Sequence, residues 1–436
     1  MSKLGDFVRV QGGYAFKSSE LSDDKTGVPV IKIGNITGGS FVDLSNYQSV
    51  SFQLFEKTKS FATKDNDILI AMTGANVGKT SRVPVNSDAY LINQRVGRFL
   101  LKEDCPYTSD FIYYVVSSKQ AYQYFSRVAD GAAQPNISGK TIEDLEFPNI
   151  DSRCANKIGN ILKSLDDKIQ LNTQINQTLE QIAQTIFKSW FIDFDPVHAK
   201  ANALASGQTA EQATQVAMAV ISGKNTQELH RLQTANPEQY QQLWEIAEAF
   251  PSGVDEEGVP RGWESKKVGE VAKIVKGKSY KSSELAPSKT ALVTLKSFNR
   301  GGGYRLDGLK EYTGNYKEEQ EVFAGDLIIA YTDVTQAADV IGKPAMVMSD
   351  SCYEHLVISL DVGVVRPKNE KHKYFLYCLA MTDTFQAHTH SFCTGTTVLH
   401  LGKDAVPSFE FILPDNKFIE LFDEFVLPIF VRINNI

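Results

Sequence analysis

LGDFVRVQGGYAFKSSEL, residues 4–21, returns without gaps as VGEVAKIVKGKSYKSSEL, residues 268–285, with seven identities in eighteen positions and KSSEL intact in both. The agreement continues in order along the chain. DILIAMT (67–73) answers DLIIAYT (326–332), VGK (77–79) answers IGK (341–343), DFIYY (110–114) answers YFLYC (374–378), and Gly131 answers Gly395. The offset is 264 at both ends and 259 in the middle, so the copies differ by loop insertions. A period this long is a duplicated domain, because solenoid units are far shorter.

Each copy reads as short buried strands with helices. VPVIKIGNI (28–36) and TALVTLKSF (290–298) are rich in β-branched residues, and DILIAMT and DLIIAYT are compact apolar runs that follow turn residues. TSDFIYYVVSSKQAYQYFSRV (108–128) and KYFLYCLAMTDTFQAH (373–388) carry aromatic and aliphatic residues at helical spacing. The expected fold class is α+β. Two similar domains, 1–150 and 264–414, are separated by a long helix.

From Asn156 to Trp190 there is no proline, and Ile158, Leu165, Asn172, Leu179 and Ile186 recur in sevens, with Ile161, Ile175 and Ile182 in a second seam position. This predicts a coiled-coil spacer over 151–194, about 50 Å long, in which Asn172 fixes the register. An ordinary amphipathic helix packed on a domain is the competing reading. A helical insertion and linker follow over 195–263, with helical stretches around 209–222 and 226–249. Residues 415–436 read as the start of a second spacer helix, on which Phe422, Phe425 and Ile429 align with Ile158, Ile161 and Leu165. The counterpart of Trp190 would fall near position 454, so an antiparallel partner covers only Asn172 to Trp190. Ile158, Ile161, Leu162, Leu165 and Ile169 are then expected to form a bare apolar stripe, which favours self-association or dependence on a partner.

Composition narrows the function classes. The chain has 436 residues, 42% of them apolar and 22% charged, which suits globular domains throughout. The five cysteines form no CxxC pair and suggest no disulfide framework, so a reduced cytoplasm is expected. No apolar run reaches membrane-spanning length, and MSKLGDFVRV lacks a signal-peptide core. The net charge of −7 is unevenly distributed: residues 1–150 carry 16 basic and 16 acidic side chains, and 264–414 carry 18 of each. Both copies are neutral, and the deficit lies in 151–263 and 415–436. Nucleic-acid binding therefore stays open for the copies and is disfavoured for the connectors.

At this point the residues resemble a family. Two globular repeats each followed by a helix, SWFIDFDPVHAK (189–200) after the first helix, PRGWESKKVGE (260–270) before the second copy, and the phrases GYAFKSSE, TGANVGK and GAAQPNIS are similar to specificity subunits of type I restriction-modification systems. The resemblance covers essentially the whole chain. It implies two target recognition domains that each read one half of a split site on double-stranded DNA, with helices that set the spacing. It also implies two methyltransferase subunits and motor-nuclease subunits as partners. S-adenosylmethionine, ATP and magnesium would be bound by those partners, with no cofactor and no catalytic residue in this chain. The short second helix departs from the pattern.

The residues supply candidate contacts. TGANVGKT (73–80) is one residue short between its glycines for a nucleotide-binding loop, which leaves a structural turn or a DNA-backbone contact by Asn76, Lys79 and Arg82, with Lys343 in the second copy. Lys276, Lys278, Tyr280 and Lys281, preceded by Lys266, Lys267 and Lys273, form the densest basic stretch. Arg9, Tyr14, Phe16 and Lys17 take its place in the first copy. GAAQPNIS (131–138) and CTGTTVLH (393–400) are polar loops at matched positions, where Gln134 and Asn136 suit adenine edges and Thr396 and Thr397 are the candidates of the second loop. For each of these the competing reading is a solvated strand-and-turn surface. Asn236-Pro237-Glu238-Gln239 lacks the aromatic residue that stacks a flipped adenine. His388, His390, Cys393 and His400 match no zinc spacing. Two rivals remain, a protein scaffold that does not read DNA and a nucleotide hydrolase.

Overall fold

A computed structural model describes residues 2–85, 88–129, 135–334 and 338–435. The chain forms two compact units, Met1–Leu171 and Asn172–Ile436. The first contains β1 (Val8–Gly12), β2 (Val28–Ile31), β3 (Gln48–Val50), α1 (Phe52–Thr58), β4 (Ile68–Ala71), β5 (Thr80–Arg82), β6 (Leu91–Ile92) and β7 (Val96–Leu101). α2 (Ser109–Val116), α3 (Lys119–Val128), α4 (Gly139–Glu143) and the first half of α5 (Ser152–Phe191) complete it. The second unit takes the rest of α5, then α6 (Asp195–Ala205), α7 (Ala210–Ser222), α8 (Thr226–Ala235) and α9 (Pro237–Ala249). The strand-rich part follows as β8 (Glu264–Lys267), α10 (Val268–Val271), β9 (Ala272–Lys276), β10 (Thr290–Val293), β11 (Lys310–Glu311), β12 (Glu321–Val322), β13 (Leu327–Ala330) and β14 (Thr332–Asp333). Then come β15 (Pro344–Met346), β16 (His355–Ile358), β17 (Val362–Pro367), α11 (Lys373–Ala380), α12 (Asp383–Ser391), β18 (Cys393–Thr394), β19 (Leu399–Leu401), β20 (Glu410–Leu413) and α13 (Asn416–Asn435).

The fold is α+β, and the sequence repeat is a structural repeat. The antiparallel sheet β1-β7-β4-β5 recurs as β9-β17-β13-β15, and the parallel pair β2–β6 recurs as β10–β16. KSSEL survives in both copies for a local reason. The backbone N–H of Lys17 donates to Glu20 Oε2 at 2.8 Å, and that of Lys281 donates to Glu284 Oε2 at 2.7 Å, so each glutamate caps a single helical turn.

The second half of α5 lies in the aromatic core of the second unit. Phe187 and Trp190 meet Phe422, and Trp190 meets Phe418, while Asn176 Nδ2 donates to the carbonyl of Ile433. Rising numbers on α5 face falling numbers on α13, so the two helices run antiparallel. The buried face differs from the expected seam. Ala183, Phe187 and Trp190 are buried, Leu179 and Ile186 are only partly so, and Ile182 is exposed. The reason is that α5 packs on α11 and α13 together, as the Phe187 rings against Phe375 and Phe422 show, so its apolar face is wider than a two-helix seam and is rotated from it. In the first unit Ile158, Ile161, Leu165 and Ile169 of α5 are exposed and Leu162 is half-buried.

Two phrases that carried the resemblance meet in this core. Phe191 and Phe194 lie 5.8 Å from the Trp263 ring of PRGW, and Trp263 packs on Phe418. The stretch 226–249 is two helices instead of one, because Pro237 has no N–H to continue α8 and Asn236 Oδ1 caps α9 by accepting from Gln239 N at 3.2 Å. Lys200 is buried and donates to the carbonyls of Ala247, Glu248 and Phe250, which ties α6 to the end of α9.

Candidate nucleic-acid interface

Each repeat gathers four segments at one end of its sheet. In the first, Tyr14 N donates to Ile92 O and Gln94 N donates back to Tyr14 O, both at 2.8 Å. Met72 N donates to Arg95 O, and Thr73 pairs with Asn136. In the second, Lys278 N donates to Ile358 O at 3.1 Å and Leu360 N to Lys278 O at 2.8 Å, while Tyr331 N donates to Asp361 O and Thr332 pairs with His400. The crossing requires glycine in both. A Cβ on Gly13 would lie 2.2 Å from Ile92 O, and one on Gly277 would lie 2.1 Å from Ser359 O.

Several expected contacts reach this end. Lys17, Asn136, Lys281, Thr396 and Thr397 are exposed, and Tyr14 is half-buried with its ring 4.9 Å from Phe16 and 5.6 Å from Phe61. Lys278 is half-buried and its ammonium is given to the Asn315 carbonyl. Gln134 lies outside the described residues.

Others are placed elsewhere. Arg82 was expected to touch DNA, yet it is 1% exposed. Its guanidinium donates to Asp166 at 2.6 Å and Asp110 at 3.5 Å and lies over the Tyr113 ring at 4.2 Å. Tyr114 Oη also donates to Asp166, at 2.7 Å, so two groups of the domain hold one carboxylate of α5. Burial holds the Asp110 carboxyl above its ordinary range, with Arg82 pulling the other way. In the second unit an analogous anchor joins Tyr377 Oη to Glu180 of α5 at 3.1 Å, and burial raises the Glu180 carboxyl.

TGANVGKT folds as a tight turn against α3. Gly78 has φ of 82° and a Cβ there would lie 2.7 Å from that of Phe125, and Gly342 at φ of 76° approaches Thr389 in the same way. Asn76 Nδ2 donates to Ile33 O, and Lys79 Nζ donates to Asn76 Oδ1 at 2.9 Å. Lys343, half-buried at the matching turn, has its pKa lowered by burial. Lys276 is exposed, with its ammonium 4.4 Å from the Tyr331 ring, where partial desolvation lowers its pKa. Tyr280 packs beside Leu292, Tyr312 and Val357, and its hydroxyl accepts from Lys310 Nζ at 2.8 Å. His388 shares a hydrogen bond with Ser408, and no group of three metal-ligating side chains occurs among the described residues. No helix among the described residues is long and apolar enough to cross a membrane.

The segment that sequence reasoning passed over is the loop after the parallel strand, Asn93–Arg95 in the first repeat and Ser359–Asp361 in the second. Gln94 and Arg95 are exposed at its crest. Its only signal in the sequence is position, because the two copies share no residue there.

Two copies of one α+β domain, each presenting polar and basic loops at an equivalent end, define a duplicated recognition protein. The model of the type I restriction modification DNA specificity domain matches residues 1–181 and 260–418, and the chain belongs to that family. It is 29% identical over 424 residues to the type I restriction enzyme HindI specificity subunit of Haemophilus influenzae, covering 93% of this chain and 88% of that one. It is 24% identical to the MjaIX specificity subunit of Methanocaldococcus jannaschii, over 93% and 84% of the two chains. A solved S subunit of a type I restriction-modification system from M. genitalium aligns over 99% of this chain and 89% of that one, with a TM-score of 0.47 and 13% identity.

Proposed function

We propose that this chain is the DNA-reading subunit of a type I restriction-modification assembly, in which each repeat reads one half of an interrupted, asymmetric site. The observation that carries this reading is the matched end of the two repeats, where the same four segments meet on the same backbone hydrogen bonds but present different side chains. Duplication supplies two equivalent readers, and divergence of the exposed residues supplies two different half-sites. In this reading the helices between the repeats set the half-site spacing.

The chain itself does no chemistry in this reading. Methyltransferase subunits and motor-nuclease subunits, working in the cytoplasm, supply the S-adenosylmethionine, ATP and magnesium sites. The exposed residues Ile158, Ile161 and Leu165 offer an apolar surface for a methyltransferase subunit or a second copy of the chain.

Lys17 and Lys281 test the DNA reading. Their backbone amides serve the glutamate caps while their side chains stay exposed, so Lys281→Gln removes a charge without removing the cap. In the assembled complex it should weaken binding to all duplexes alike and reduce the salt slope by about 0.9. A complex whose DNA binding does not depend on salt would contradict the reading.

A further inference from the structure

Resting on that reading of the repeats, we infer that the second repeat recognises the 5-methyl group of thymine through Leu360, at the place where the first repeat presents Gln94. The two residues are equivalent by backbone bonding and not only by alignment. Gln94 N donates to Tyr14 O and Leu360 N to Lys278 O, each at 2.8 Å, and the residue after each accepts from the strand-end amide of Met72 or Tyr331. Both stand at the crest of the same loop. One is an exposed amide and the other is a leucine with 53% of its surface exposed.

Leu360 is not an isolated surface leucine. β14 and β19 pair Thr332 with His400 and Asp333 with Leu399, and Val334 and Val398 are the residues next to this ladder on its two strands. Val334 is 71% exposed and Val398 is 38% exposed. Thr332 Oγ1 donates to Asp361 Oδ1 at 2.9 Å, which joins this ladder to the residue beside Leu360. Three exposed apolar side chains therefore occupy adjoining loops. Lys278 is bonded to the Leu360 loop through its backbone while its ammonium goes to the Asn315 carbonyl, and Lys281 is exposed three residues further on. An apolar spot on a segment end that also carries the exposed Lys281 complements a polyanion that carries an apolar group. Among base edges in the major groove only thymine offers one, its C5 methyl, whereas glutamine pairs with adenine N6 and N7. At one equivalent position the two repeats thus present the chemistries suited to opposite members of an A·T pair.

The test uses the complete complex with its own methyltransferase subunits. The methylated motif is determined by sequencing, and the half read by the second repeat is assigned by exchanging residues 268–414. Duplexes are then made with deoxyuridine in place of thymidine in one half at a time, which removes only the methyl group. Loss of one buried methyl should weaken binding about fourfold when the substitution lies in the second repeat's half. Leu360→Gln should abolish the difference between thymidine and deoxyuridine there while leaving the other half unaffected. Equal binding of the two duplexes by the native complex would overturn the inference, as would a second half-site that specifies no A·T pair. A complex that does not prefer its own motif to unrelated duplex would instead overturn the half-site reading itself.

Discussion

Replacing Arg82 by alanine is expected to destabilise the first unit by about 3–5 kcal/mol, the cost of stranding buried charges whose partner has been removed. The guanidinium sits between Asp110 and Asp166, which are only 20% and 19% exposed, and it covers the Tyr113 ring. Without it Tyr114 still donates to Asp166, whereas Asp110 keeps only the weaker attraction of Lys163. The loss should depend on pH with a definite sign. The Asp110 carboxyl is already raised by burial, and removing the cation raises it further, so the variant is penalised above that pKa and recovers as acid protonates the group. Chemical denaturation of the full chain at pH 7 and pH 4.5 measures both effects. An Arg82→Ala chain of native stability but weakened DNA affinity would return Arg82 to the interface.

Trp190→Ala is the second substitution with a large expected effect, about 3–5 kcal/mol from the second unit. The indole is 1% exposed and contacts the rings of Phe191, Phe250, Phe418, Phe422 and Phe425, so no single neighbour can collapse into the space it leaves. The α5–α13 pair and the insertion share this side chain. Its removal should therefore lower the melting temperature and expose α13 to proteolysis in the same transition. Loss of α13 protection without a change in melting temperature would show that the helix pair is not part of the unit's core.

The duplication was legible because backbone geometry constrains the residues that recur. Glu20 and Glu284 cap the same turn, Gly13 and Gly277 let two strands cross, and Gly78 and Gly342 pass a helix too closely for a side chain. These positions tolerate little change, so they stayed alike while the loops diverged. Burial was not legible in the same way. Arg82 follows a turn rich in polar residues and reads like a phosphate contact, and only the fold brings Asp110 and Asp166 to it from 28 and 84 residues away. The packing face of α5 was misplaced because a heptad pattern assumes one partner, whereas this helix has several. Gln94 and Leu360 escaped notice because their equivalence lies in hydrogen bonds to Tyr14 and Lys278 and not in any shared residue.

Each repeat is expected to read its own half of one site. Exchanging residues 268–414 for the second recognition domain of a relative, expressing the chain with its methyltransferase subunits, and sequencing the methylated motif tests it most directly. One half of the motif should change and the other half, with the spacing, should be retained. A motif altered in both halves, or unchanged after the exchange, would show that the repeats do not read separate halves.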